Sequence, residues 1–403
     1  FILYAEDRGI FPIEDTTYHE KFSLKWLKEK WLLESFDLKK IAEYGVQKRL
    51  KSLFRLIEVG SEELDYNKEE FFMRSYYGRI FDRKINSELE NWNIPNSKFL
   101  DTLSLLTSTK DKSGNTFFLD YSALETKHLG SIYEHLLEFH LHVKGEKIAK
   151  LPNAKERKLT GSYYTPQDIV DYFIKNTIKP IIDKIIKETN DKHEQKEKIL
   201  SLKILDPAMG SGHFLVGVMN FVAKKICEVE DDLSESNIIE RKRDVVRKCL
   251  YGVDLNPLAV DLTKVSLWLE TLASEKPLSF LSAHIKCGNS LVGSQVDRLF
   301  EKQMTLEESQ KGREHFKKSV KDFLMFENLE DDSSSAVKAK LEKYQKIRSQ
   351  GTVFYDLKFL LNCKSAEMFG AKVPALGDYR SKIGENSLDF YTNKSLQKVK
   401  DIK

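Results

Sequence analysis

No cysteine pair in the chain has C-x-x-C spacing. The four cysteines, Cys227, Cys249, Cys287 and Cys363, stand far apart. This argues against a disulfide framework and a zinc knuckle, and a reducing, cytoplasmic setting is expected. Long apolar runs are also missing: nothing approaches the roughly 18 residues that a membrane-crossing helix requires. One-signed charge is absent too, since 65 Lys+Arg against 62 Asp+Glu leave a formal +3. Bulk charge therefore neither demands a nucleic-acid partner nor excludes one, and any basic surface is local. The chain opens on Phe1 rather than Met, in an apolar run unlike a signal peptide, and Val399 to Lys403 carry no closing signal. These features suggest an internal piece of something longer.

The 403 residues, 41% hydrophobic and 32% charged, suit two or three folded domains. From Phe1 to about Lys150 apolar residues recur at helical steps (Leu24, Leu27, Trp31; Leu129, Ile132, Tyr133, Leu136, Leu137), which predicts an all-α N-terminal domain over 1–150. Turns are expected at Asn93–Ser97 and Asp111–Asn115. His128, His135, His140 and His142 fall on one expected helical stretch, but without acids or cysteines nearby they make no metal site. Glu125-Thr126-Lys127 matches only a short fragment of a nuclease signature and carries no weight. A polar, Pro-containing connection is expected from Leu151 to Lys158.

After that connection the texture changes to β-then-α alternation. Strands are expected at Lys203–Ala208, Leu250–Leu255 and Ala283–Gly288, with helices starting near Gly212 and at Pro257. This pattern implies parallel strands whose carboxyl ends carry the functional loops. From about Ser294 to Gln350 the chain is charged and helical, interrupted at Asp331–Ser335.

The sharpest segment runs from Lys203 to Leu215: an apolar strand ending in Asp206, then Pro207-Ala208-Met209-Gly210-Ser211-Gly212 turning into a helix. A phosphate-cradling loop needs lysine after its last glycine, but the residue is His213. A dinucleotide fingerprint needs a third glycine where Leu215 stands, so an NAD-dependent oxidoreductase is disfavoured. What remains is a ligand that presents a positive charge or amine to Asp206.

Here the chain resembles a known family. Asp206-Pro207-Ala208-x-Gly210-Ser211-Gly212-x-Phe214 is similar to the first motif of the amino-group DNA methyltransferases that use S-adenosylmethionine. The resemblance implies an incomplete Rossmann-like class I methyltransferase sheet, an α/β fold, preceded by the helical domain and followed by a helical insertion. It implies that Asp254, at the end of the second strand, takes the cofactor's ribose hydroxyls, and that Leu255 and Asn256 border its adenine. Pro257 then opens the next helix. Cys287-Gly288-Asn289-Ser290-Leu291 resembles the third motif, with Asn289 donating and accepting at the adenine edge. Upstream, Thr160 to Val170 resembles the motif that closes over the methionine end, so Tyr163, Tyr164, Thr165 and Pro166 join the implied site. Thr165 is expected to cap the helix that follows.

That motif order is the one found in adenine-N6 enzymes with a late target-recognition domain. Glu6-Asp7-Arg8-Gly9 and Leu129 to Leu137 resemble segments of type IIG restriction-modification enzymes and of phage-exclusion methyltransferases. The implied partners are double-stranded DNA and other restriction or phage-defence components, with no membrane. Implied domains are 1–150, 151–293 and 294–403. The family's target amine is held by a (Asp/Asn/Ser)-Pro-Pro-aromatic loop, yet all nine prolines here are isolated. The loop is therefore expected beyond Lys403, no catalytic residue is named, and a non-catalytic DNA-binding scaffold is the alternative.

Overall fold

One buried carboxylate organises the first helices. The computed structural model describes residues 2–33, 45–66, 71–73, 75, 81, 91–124, 128, 139–144, 147–152, 165–271, 280–293, 314, 317–323, 325–326, 329, 333–349 and 352–368. Helices α1 (Ile2–Asp7), α2 (Thr16–Lys21), α3 (Leu24–Leu33), α4 (Gly45–Val59) and α5 (Asn96–Thr107) open the chain. Glu6 on α1 is fully buried, and its carboxylate accepts hydrogen bonds from the Tyr18 hydroxyl and from the Leu24 and Lys25 N–H groups, each at 2.9 Å. Those amides begin α3 and have no partner inside their own helix, so Glu6 ties the two helices together. Phe11, Tyr18, Phe22 and Phe71 pack around it as buried rings.

The first 150 residues are not all helical. Strands β1 (Ser108–Lys110) and β2 (Thr116–Phe118) form an antiparallel hairpin. Its turn lies where the sequence predicts one, built by the Asp111 carboxylate accepting from the Ser113 and Asn115 N–H groups at 2.9 and 2.8 Å. A second hairpin pairs β3 (Phe139–Lys144) with β4 (Lys147–Pro152), Leu141 opposite Lys150. His140 and His142 therefore lie on a strand, where Phe139, Leu141 and Val143 alternate with polar residues at the period of two that strands require. Leu151 and Pro152, expected in a connection, end β4, while 153–158 lie outside the described residues.

The β/α alternation appears as expected. After α6 (Gln167–Asn176), α7 (Ile178–Glu188) and α8 (Lys192–Leu200) come β5 (Ile204–Asp206), α9 (His213–Glu230), α10 (Glu235–Lys248), β6 (Leu250–Asp254), α11 (Pro257–Glu270) and β7 (Ile285–Cys287). The three strands are parallel in the order β5-β6-β7, with Asp206 opposite Gly252 and Asp254 opposite Cys287. Helix α9 is the core element: Leu215, Val218, Met219, Val222, Ala223 and Ile226 on it are buried. Gly252 lets it approach the sheet, since a Cβ there would stand 2.3 Å from Met209 Sδ and 2.9 Å from Leu215 Cδ1. The N-terminal helices meet this unit where the Tyr4 hydroxyl donates to the Leu269 carbonyl at 3.4 Å.

In the C-terminal stretch, α12 (Ser334–Ile347) is N-capped by Ser333, and α13 (Val353–Met368) follows. The Tyr344 hydroxyl joins α12 to the sheet, donating to the Ser282 carbonyl at 3.0 Å and accepting from Lys286 and Arg348. Among the described residues, no helix is long and apolar enough to cross a membrane, and no group of three or more His, Cys, Asp or Glu residues could hold a metal ion.

Candidate cofactor site at the carboxyl end of the sheet

Because the strands are parallel, the segments 207–212, 255–256 and 288–293 leave the sheet from the same edge. Asp254 links all three. Its Oδ2 accepts from Gly210 N–H at 2.9 Å, its Oδ1 from Asn256 N–H at 2.8 Å, and its carbonyl from Gly288 N–H at 2.9 Å. A carboxylate has about four acceptor positions, so two remain on Asp254 after these bonds. Asp206, at the end of β5, accepts one hydrogen bond, from Ala208 N–H at 3.0 Å. Burial pushes the Asp206 carboxyl above its ordinary value, the Ala208 bond opposes that, and the Asp254 charge adds to the rise. The two carboxylates thus sense one another at the carboxyl end of the sheet, a setting that favours a nearby positive charge.

The glycine loop between them takes a backbone shape that favours glycine. Gly210 and Gly212 take φ of 54° and 82°, and a Cβ on Gly212 would stand 2.6 Å from Thr263 Cγ2 on α11. The loop is anchored by Met209 N–H to the Val253 carbonyl at 3.1 Å and by Gly212 N–H to the Met209 carbonyl at 2.8 Å. Helix α9 then starts with no side-chain cap on its first amides, where the helix dipole favours an anion. In the segments that follow β6 and β7, Leu255, Leu258, Leu291 and Val292 are 62%, 52%, 94% and 43% exposed, apolar surface of a kind that suits a flat base.

The sequence-predicted residues fall as follows. Gly210, Asp254 and Asn256 are joined by hydrogen bonds, Asp206 accepts from Ala208 N–H, and Pro207 and Ala208 are exposed on the loop. Phe214 meets Phe173 of α6 edge-on at 6.2 Å, which docks that helix on the start of α9. Asn256, expected beside a base, caps α11 through its Oδ1 on Leu258 N–H at 3.0 Å. Asn289 is exposed, and its Oδ1 accepts from Leu291 and Val292 N–H, each at 3.0 Å. What Asn289 can offer a base edge is therefore a donor rather than both functions. The helix after Thr165 starts at Gln167 with Pro166 in the cap position and no side-chain cap bond, so Thr165 does not cap it. Tyr163 and Tyr164 lie outside the described residues.

Sequence reading missed the exposed apolar residues Leu258, Leu291 and Val292 and two buried hydroxyls on α11. Thr263 Oγ1 donates to the Gly210 carbonyl at 2.8 Å and Ser266 Oγ to the Ser211 carbonyl at 3.2 Å. The available signal was two polar residues, three apart, on a helix whose neighbours Val260 and Leu267 are apolar.

Comparison with known proteins fits this geometry. Residues 182–292 match the family described as MmeI, DNA-methyltransferase domain. The chain is 28% identical over 353 residues to the putative type II restriction enzyme and methyltransferase RM.MjaORFECS2P of Methanocaldococcus jannaschii, covering 73% of this chain and 26% of that protein. It is 27% identical over 194 residues to the type II restriction enzyme and methyltransferase RM.Eco57I of Escherichia coli, covering 43% and 18%. It is 23% identical over 184 residues to the adenine-specific methyltransferase PglX of Streptomyces coelicolor, covering 43% and 13%. The chain thus spans about a quarter or less of the length of these relatives. Residues 182–292 are thus similar to an MmeI-type DNA-methyltransferase domain, and the relatives the chain resembles are type II restriction enzymes and methyltransferases.

Proposed function

We propose that this chain is the cofactor-binding part of a site-specific methyltransferase that moves a methyl group from S-adenosylmethionine to adenine N6 in double-stranded DNA. It would act in the cytoplasm as the modification component of a restriction or phage-defence system. The observation that carries the reading is Asp254, fixed to the glycine loop through Gly210 N–H while two of its acceptor positions remain for a ribose diol. Adenine as the target is supported by the motif order and by the relative whose name is adenine-specific. The sheet with its flanking helices is read as the first half of a class I methyltransferase fold, within domains 1–150, 151–293 and 294–403.

The residues present suit the cofactor. Asp206 and Asp254 put unbalanced negative charge in a crevice that a sulfonium and an ammonium would neutralise. The uncapped start of α9 suits the carboxylate of the methionine end, and the exposed apolar surface suits the adenine. Asn289 donates to the base edge through its amide, and Thr165 and Pro166, with Tyr163 and Tyr164, cover the methionine end. S-adenosylmethionine, when bound, supplies an electrophilic methyl group. This chain's residues bind and orient it, and no catalytic residue is assigned to them.

Isothermal titration of S-adenosylmethionine into the wild-type chain and into Asp254→Ala tests the reading. The expected result is a loss of about 100-fold or more in affinity, ~2.7 kcal/mol. Equal heats from both proteins would contradict the ribose assignment.

A further inference from the structure

A buried serine or threonine in or next to a helix usually satisfies its hydroxyl on the carbonyl four residues back, as Thr271 at the end of α11 does on Leu267 at 2.7 Å. Thr263 and Ser266 are 0% and 1% exposed, and both reach instead to a segment more than fifty residues earlier in the chain. Their targets are consecutive carbonyls of the glycine loop, Gly210 and Ser211. Resting on the reading of the site given above, we infer that Thr263 and Ser266 are positioning residues that hold the glycine loop in its cofactor-accepting shape.

In a trans peptide the N–H points opposite the preceding carbonyl. Pinning the Gly210 carbonyl on Thr263 therefore turns Ser211 N–H away from α11. The other loop carbonyls are also engaged inward: Met209 accepts from Gly212 N–H at 2.8 Å and Gly212 from Val216 N–H at 2.9 Å. With four consecutive carbonyls each accepting a hydrogen bond from the protein, the loop's acceptors are committed to protein donors rather than left wholly free to repel a carboxylate. Thr263 acts a second time through its methyl group, which occupies the space that a side chain at residue 212 would need. Its hydroxyl fixes one end of the turn and its methyl group sets the clearance at the other.

The test uses the 403-residue chain with Thr263→Val, which keeps the shape and removes the hydroxyl, Thr263→Ser, which keeps the hydroxyl, and Thr271→Val as a buried control at the end of the same helix. Three quantities are read: affinity for S-adenosylmethionine, the thermal midpoint, and amide hydrogen exchange of peptides spanning 208–214 without ligand. Thr263→Val is expected to weaken binding by about tenfold, the scale of one lost buried hydrogen bond, and to speed loop exchange. Thr263→Ser is expected to bind within about twofold of wild type, and Thr271→Val to lower the midpoint without changing loop exchange. Loop exchange in Thr263→Val no faster than in Thr271→Val would overturn the inference. Absence of binding by the wild-type chain would instead remove the cofactor reading, and the ligand-free exchange would still decide whether Thr263 shapes the loop.

Discussion

Buried Glu6 and half-buried Asp206 are both carboxyls pushed above their ordinary values by desolvation, yet they are partnered in opposite ways. Glu6 accepts from a phenol and two helix-terminal amides. Asp206 accepts from one amide, and the charged group that acts on it is another carboxylate. Burying a carboxylate is costly unless hydrogen bonds or an opposite charge compensate. The filled set around Glu6 therefore marks a structural junction. The sparse set around Asp206 is what the proposed reading requires of a place where a cationic ligand completes the balance.

The largest expected effect that would break this contrast is on stability. Glu6→Ala leaves the Tyr18 hydroxyl and the Leu24 and Lys25 amides without their acceptor, and should destabilise the chain by about 3–5 kcal/mol in a denaturant titration. Asp206→Asn should leave stability near wild type or raise it at neutral pH. If the two substitutions cost the same, the distinction between junction and site is wrong.

The next effect is in pH dependence. A carboxyl whose folded value is raised contributes stability that is present below its unfolded value and is lost as pH rises through the folded one. Glu6→Gln should therefore flatten the fall in wild-type stability between the ordinary carboxylate range and the raised value of Glu6, measured as the difference between the two proteins. For ligand binding the ionised form of Asp206 is the competent one. Affinity for a cationic ligand should rise with pH over the interval just above the ordinary carboxylate range, and Asp206→Asn should abolish that rise.

The smallest expected effect is the affinity step itself. Asp206→Asn should weaken S-adenosylmethionine by roughly tenfold at neutral pH, ~1.4 kcal/mol. That is less than the loss from Asp254→Ala, because Asp254 also fixes the loop.

The strand ends were readable because apolar runs closed by an acid and followed by glycine or proline carry their own punctuation. Asp206 and Asp254 both end the strands the sequence predicts. The β3–β4 hairpin was missed although Phe139 to Lys144 alternates at a period of two, because the helical spacing of Leu129 to Leu137 was extended into it. Asn256 and Asn289 also accept from local backbone amides, which compete for short polar side chains at turns and helix starts, a use the sequence reading did not include. Asn directly before Pro257 was itself a capping signal. Thr263 and Ser266 were beyond local reading, since their meaning depends on packing α11 beside a loop that precedes β6.

A fragment of the cofactor separates the two carboxylates most directly. 5′-Methylthioadenosine keeps the adenosine but carries neither sulfonium nor ammonium. Its affinity and that of S-adenosylmethionine should be measured side by side for wild type, Asp206→Asn and Asp254→Ala. Loss of both ligands in Asp254→Ala, with loss of S-adenosylmethionine alone in Asp206→Asn, is the predicted outcome. Equal weakening of the two ligands by Asp206→Asn, or no weakening of either by Asp254→Ala, would contradict a crevice in which one acid holds the ribose and the other meets the cation.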